Sequence, residues 1–296
     1  MSAEIGKSWS MMAGAPSRRP AIPELVKRPW HDLRAGYRQL TGAVRGLPSV
    51  LVIGAQRSGT TSLFNYLVRH PDVLAPFAKE VHYFDFNYAR GIKWYRGRFP
   101  FAHRLERGAL TLDASPYYLA HPLVPARVAQ LMPQVKLIAL LRNPVERALS
   151  HYQHEVRGGR ESLSFAEAIE REPERLAGEE ERLQSDPDYY SFNHHRYSYT
   201  RRGLYVEQLR RWVEHFPRGQ LMILQSEWLF RNPVEATAAV HDFLELRPHR
   251  LERYKPFLPG SYDRALPADL RARLVAYFEP YNRELYRWLG EEFDWM

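Results

Sequence analysis

The stretch SVLVIGAQRSGTTSLFNYL, Ser49 to Leu67, decides how the rest of the chain is read. An apolar run, Val50–Ile53, meets a tight glycine-containing turn, and a helical pattern follows with Leu63 and Leu67 on one face. Strand, turn and helix in that order make a cradle for an anion. The backbone N–H groups of Arg57 to Thr61 converge, and the helix N-terminus adds a favourable dipole. Gly54 and Gly59 have the spacing of an ATPase-type phosphate loop, but Thr60 stands where that loop carries its lysine. Ser58, Thr60, Thr61 and Ser62 supply hydroxyl donors, and Arg57 is the loop's cation. With no lysine to reach a terminal phosphate, ATP hydrolysis is disfavoured. The plainer alternative is a strand–turn–helix junction with Ser and Thr as caps.

A second stretch, VKLIALLRNPVERALSHYQH, Val135 to His154, ends a buried strand at Leu141 and places Arg142 at its tip. Asn143-Pro144 turns the chain into a helix that carries Ser150 about two turns on. An arginine there grips a phosphate bidentately, with the serine hydroxyl as a further donor; the alternative is an arginine paired with a surface carboxylate. Two anion sites at strand tips of one sheet suit a ligand with two separate phosphate groups. No apolar run ends in an obvious magnesium ligand; Asp113, after Leu110–Leu112, comes nearest.

Strand-like runs at Val50–Ile53, Leu110–Leu112, Lys136–Leu141 and Leu221–Leu224 alternate with helical patterns at Thr60–Arg69, Leu204–Phe216 and Leu270–Leu289. Alternation of this kind predicts a single α/β domain, a central parallel sheet flanked by helices, with ligands at the carboxyl ends of its strands. Residues 48–296 form that domain in this reading, residues 1–47 a flexible basic arm, and residues 155–202 a helical insertion over the active edge, facing the acceptor.

The net charge of +8 invites a nucleic-acid reading, but the arm alone holds eight Lys/Arg against three Asp/Glu. The rest is nearly balanced, and a polyanion binder carries its basic stripe on the folded body, so nucleic acid is not an expected partner. The chain has no cysteine, which excludes disulfides and thiolate chemistry. No apolar run approaches the ~20 residues of a membrane span, and no secretory signal is visible. A cytoplasmic protein without a metal is expected. His194-His195 are adjacent and lack the companions of a metal site, so they are expected in an acceptor-facing lid or simply exposed.

The loop and the Arg142/Ser150 pair together resemble the sulfotransferases that use 3′-phosphoadenosine 5′-phosphosulfate (PAPS). Arg57, Ser58, Gly59, Thr60, Thr61, Arg142 and Ser150 match that family's nucleotide site position by position. HPDVLAPFAKEVHYFD (70–85), GIKWYRGRFP (91–100), RNPVERALSHYQH (142–154), GLYVEQLRRWVEHFP (203–217) and the final FDW (293–295) are similar, in order, to the heparan sulfate N- and 3-O-sulfotransferase branch. The resemblance implies sulfuryl transfer from PAPS to a hydroxyl or amine, leaving adenosine 3′,5′-bisphosphate. Within it, Glu80 is the base, Arg57 stabilises the leaving phosphosulfate oxygen, and His82 orients the acceptor, sharing Glu80's side if the segment is extended. Lys79 and Asp85 become acceptor contacts, and Ser62 and Gly260 nucleotide contacts. Three departures stand out: Ala114 replaces the lysine before the family's Thr-Pro, Pro259-Gly260-Ser261 replaces a Lys-Gly-Arg loop, and the Golgi enzymes' membrane anchor is absent. They point to a soluble bacterial relative with a small-molecule or glycan acceptor that need not be heparan. The rival readings are a small-molecule kinase and a nucleotide-binding regulator without catalysis. Arg57 and Glu80 together argue against the regulator, and Thr60 against the kinase.

Overall fold

The structure, a computed structural model, describes residues 36–255 and 266–295. Residues Arg38–Met296 form one compact unit. The Thr41–Val44 3-10 turn belongs to it, followed by Arg45, which is buried and donates to the carbonyl of Phe99 at 2.9 Å. Gly260 and the Pro259–Ser261 loop lie outside the described residues.

Four parallel strands build the sheet: β1 (Val50–Gly54), β2 (Leu112–Ala114), β3 (Lys136–Leu141) and β4 (Leu221–Gln225). Their order is β2-β1-β3-β4. β1 and β3 carry unbroken apolar runs because both sheet faces are covered. Leu51, Ile53, Leu137, Ala139 and Leu141 pack into one core cluster, and their alternates Val50, Val52, Ile138 and Leu140 into another. Fully burying one such side chain stabilises the fold by ~1.5–3 kcal/mol.

Helix α1 (Thr60–Leu67) covers the second face, together with the helix Pro233–Phe243 further along the chain. The first face is covered by α2 (Tyr83–Phe86), α3 (Val124–Leu131) and the helix Tyr205–Val213. α4 (Pro144–Arg157) follows β3. Asn143 caps it by accepting from the backbone N–H of Val145 and Glu146, and Pro144 sits in its first turn, where no intrahelical donor is lost. Leu270, Leu274 and Phe278, at the start of the final helix (Ala268–Leu289), join Val145, Phe165 and Tyr199 in a third core cluster. Residues 155–202 are thus packed on the body by short helices, the first of them capped by a Ser164–Glu167 capping box.

The strand expected at Leu110–Leu112 begins later. Leu110 spends its backbone bonds on Asp72 and Leu74, so the ladder to β1 starts at Leu112. The helix expected through Arg69 ends at Leu67, and the one expected through Phe216 ends at Val213.

From β1 the chain steps to β2 on one side and then crosses to β3 on the other. The strand order therefore reverses between β1 and β3. In sheets wound this way a crevice opens at the carboxyl ends of those two strands. The loop after Gly54 and Arg142 both stand there.

Candidate active site

A cavity of about 860 Å³ occupies that crevice. Gln56, Arg57, Gly59, Thr60 and Thr61 from the loop line it, with Arg142, Glu146 and Ser150 from the β3–α4 junction. Glu80 and His82 face the same space, as do Tyr117 and, from the insertion, His195 and Arg196.

The loop turns through two left-handed residues, Arg57 (φ 70°) and Gly59 (φ 88°). No side chain caps α1, and the residues of its start, Gly59, Thr60 and Thr61, line the cavity. The hydroxyl of Ser58 is fully buried and unpartnered, while its N–H closes the turn on Ala55 O. Ser62 is buried inside α1, away from the cavity. A Cβ on Gly59 would stand 2.9 Å from the ring of Phe230, so the loop and this half-exposed aromatic ring approach each other closely. An uncapped helix start, a buried orphan hydroxyl and a glycine pressed against a ring fit a phosphate-bearing nucleotide with a flat base.

The two anion sites inferred from the sequence share a wall. Arg57 Nε donates to Ser150 Oγ at 3.0 Å, and Arg142 donates to the carbonyl of Arg57 at 3.2 Å. Tyr205 donates to Arg142 O at 2.8 Å and fixes the strand tip. Glu227 accepts from Asn143 N (2.9 Å) and from the indole of Trp295 (3.2 Å), and Asn143 Nδ2 donates to Trp295 O (3.0 Å). The FDW ending is therefore a clamp on the turn that carries Arg142.

Glu80 and His82 do not meet by strand alternation. Both are left-handed, with φ 58° and 51°, and His82 is the residue just before α2. Among the described residues four non-glycine positions have positive φ, and three of them, Arg57, Glu80 and His82, line the cavity. Strained backbone concentrates where side chains are held for function.

Glu80 Oε2 lies 3.8 Å from His82 Nε2, and Asp85 Oδ2 lies 2.7 Å from His82 Nδ1. Asp85 is not at the cavity. Its side chain is wholly buried under His82 and also accepts from Phe86 N at 2.7 Å, so it holds the imidazole instead of touching an acceptor. Lys79 Nζ pairs with Glu80 Oε1. Beneath them Ser115 Oγ accepts from His82 N (3.0 Å) and donates to buried Asp113 (2.8 Å). Tyr118 OH accepts from Tyr83 N (2.8 Å) and donates to Asp113 (2.9 Å). Asp113 is thus a buried brace for the 80–83 turn, with its pKa raised by burial, and not a cation ligand. Among the described residues no group of His, Asp and Glu could hold a metal ion.

Burial alone would lift the Glu80 pKa, but the adjacent His82 imidazole, followed by the Lys79 ammonium, outweighs that and holds it at about 2. Burial alone would lower His82, but the Asp85 carboxylate, followed by Glu80, raises it to about 10. At neutral pH Glu80 is an anion and His82 a cation. Stability follows the same signs. The His82 contribution is complete below its ordinary value of 6.5 and is lost as pH rises through about 10; the Glu80 contribution is complete above 4.5 and is lost as pH falls through about 2. Denaturant unfolding should show wild type losing stability between pH 6.5 and 10, and Asp85→Asn losing less over the same window. Equal slopes would mean that His82 is not held charged by Asp85.

His194 and His195 are buried, not exposed. Tyr117 OH bonds to His194 Nδ1 (2.7 Å) and Tyr190 OH to His195 Nδ1 (2.8 Å). Burial, then Arg202, push both imidazoles far down, so they are neutral. Arg202, buried and still charged with its pKa lowered to about 10 by burial, donates to Gln56 Oε1 and to the carbonyls of His194 (2.9 Å) and His195 (2.7 Å). It ties the insertion to the cradle. Sequence reasoning missed Gln56, which stands inside the loop at a position its spacing leaves open, and Tyr117, Arg196, Arg202 and Phe230, none of which stands in a spaced pattern.

The model of the sulfotransferase domain family matches residues 47–256. The chain is 28% identical to mouse (Mus musculus) heparan sulfate glucosamine 3-O-sulfotransferase 5, over 90% of this chain and 80% of that protein. It is 27% identical to the membrane-associated sulfotransferase kil1 of Dictyostelium discoideum, over 86% and 68%. Among solved structures, a sulfotransferase from Alicyclobacillus acidocaldarius is 30% identical with a TM-score of 0.60, over 84% of this chain and 98% of that one. The chain belongs to the sulfotransferase domain family and is a PAPS-dependent sulfotransferase. Among the described residues no helix is long and apolar enough to cross a membrane.

Proposed function

We propose that the chain moves the sulfuryl group of PAPS to a hydroxyl, or an amine, of a small-molecule or glycan acceptor, with Glu80 as base. The observation that carries this is one cavity that joins Arg57, Arg142 and Ser150 to an ionised Glu80. The cradle amides and hydroxyls, with Arg57, hold the phosphosulfate end; Arg142 and Ser150 hold the 3′-phosphate; Phe230 lies against the loop, where a flat base would stack.

The acceptor oxygen forms a bond to sulfur as the bond from sulfur to the bridging phosphate oxygen breaks. The acceptor proton passes to Glu80, and charge growing on the leaving oxygen falls under Arg57. His82 is already protonated and cannot take that proton; it steadies Glu80 and orients the acceptor. Lys79 lies on the other side of the Glu80 carboxylate and supplies the nearest cation where Ala114 offers none. The family role of the heparan sulfate relatives lends support to this arrangement but leaves the acceptor open.

Calorimetry with adenosine 3′,5′-bisphosphate, AMP and ATP tests the reading without an acceptor. The bisphosphate should bind most tightly, with or without magnesium. A magnesium-dependent preference for ATP would instead favour a kinase.

A further inference from the structure

Beside Glu80 the cavity is lined by His82, Tyr117 and His195, and the rings of Phe86 and Tyr190 extend this cluster beyond the lining. His82 stacks on Phe86 with centroids 4.9 Å apart, and Phe86 stacks on Tyr117 at 5.3 Å. His195 packs on Phe86 at 4.6 Å and on Tyr117 at 4.7 Å, and Tyr190 meets Phe86 edge-on at 5.2 Å. Tyr190 is 46% exposed, so this cluster reaches the surface. Its polar tip is used on His195, which leaves ring surface for a visitor.

The cations on this side are already engaged: His82 lies between Asp85 and Glu80, and Arg202, 4.4 Å over the Tyr117 ring, donates to Gln56 and to the carbonyls of His194 and His195. Arg57 and Arg142 belong to the nucleotide cradle, Lys79 is paired with Glu80, and Arg196 faces the buried Glu155 at 3.6 Å. The segment leading into Tyr190 is acidic: from Glu179 to Tyr190 there are five carboxylates and one arginine. Glu179 accepts from Tyr189 OH (2.8 Å) and from Ser191, which sets the acidic segment directly behind the ring cluster. A polyanionic acceptor would meet rings and like charge here.

We propose that this ring cluster, running from His82, Tyr117 and His195 in the cavity to Phe86 and the exposed Tyr190 beside it, is an acceptor subsite for an uncharged hydroxyl-bearing ring, the flat face of which lies on the aromatic side chains. The CH-rich face of a neutral sugar and the π face of a phenol share this chemistry. The subsite orders the acceptor so that one ring hydroxyl points at Glu80. It rests on the sulfuryl-transfer reading, which the nucleotide calorimetry above tests separately.

The experiment uses the full chain saturated with adenosine 3′,5′-bisphosphate and titrated, by calorimetry or ligand-observed NMR, with 2-naphthol, cellotetraose and a heparosan tetrasaccharide. At least one uncharged probe should bind, and the anionic tetrasaccharide about a hundredfold more weakly, from like-charge juxtaposition. Binding of naphthol alone marks a phenol site, and binding of cellotetraose alone a sugar site; either supports the proposal. Tyr190→Ala and Phe86→Leu should each weaken the bound uncharged probe by about two- to twelvefold, the fold-change of one aromatic contact, with bisphosphate affinity unchanged. The proposal is overturned if heparosan binds as tightly as the uncharged probes, if neither uncharged probe binds, or if both variants leave their affinity as it was.

Discussion

Glu80→Gln should lower sulfuryl transfer by ~10²–10⁴, the usual contribution of a positioned base, with bisphosphate affinity near wild type. Glutamine keeps the shape and can still face Lys79 and His82, but it cannot receive a proton. The held-down pKa of about 2 makes the wild-type carboxylate available throughout the neutral range and also a weak base. A fall toward the lower end of that span is therefore expected. The loss should also appear in His82, because Glu80 is one of the two carboxylates that keep the imidazole charged. In Glu80→Gln its titration, followed by NMR, should move down from about 10 while Asp85 holds it above the ordinary histidine value. The acceptor must carry a poorly acidic hydroxyl, since an acidic phenol ionises without help. A Glu80→Gln enzyme of near wild-type rate, beside a dead His82→Ala, would assign the base to His82 and sink this mechanism.

The residues that sequence made legible are those held by local rules. The cradle follows from an apolar run, two glycines and the periodicity of α1; the Arg142 turn follows from Asn143-Pro144, where the cap and the missing N–H both favour a helix start. What stayed hidden was long-range. Alternation along an extended segment would have put Glu80 and His82 on one side, but a left-handed turn does so, and that turn is imposed by Ser115 and Tyr118 from beyond β2. Asp85, three residues past His82 in sequence, is turned inward by the same geometry. His194 and His195 read as part of an acceptor-facing lid or as exposed, and their burial stayed hidden because the residues that cover them come from distant parts of the chain: Tyr117, and Phe86 in α2. Arg202 belongs to no motif at all, yet spans the cradle and the insertion.

That coupling bears on how the nucleotide is discriminated, and the variant that reports it is Arg142→Ala. Wild type should bind adenosine 3′,5′-bisphosphate more tightly than AMP by about 10- to 150-fold, the equivalent of one charged hydrogen bond at ~1.5–3 kcal/mol. The variant should bind the two alike. The reason lies in position: Arg142 stands at the tip of β3, one strand from the cradle, and its carbonyl is fixed by Tyr205 while its guanidinium lies against the backbone of Arg57. AMP fills the cradle but offers nothing to this second site, so its affinity should change little. Arg57→Ala should behave differently, weakening both ligands, because Arg57 lines the cradle and also donates to Ser150. Ser150→Ala removes a neutral partner and should cost the bisphosphate less than Arg142→Ala does, since uncharged hydrogen bonds contribute only ~0.5–1.5 kcal/mol. Salt separates the remaining explanation. If Arg142 acted only through the general positive field of the cavity, its loss would weaken AMP and the bisphosphate in proportion to their charge, and added salt would erase the wild-type difference. A direct, half-buried contact keeps most of the discrimination at high salt. Equal affinities of wild type for AMP and the bisphosphate at any salt would remove the second phosphate site altogether.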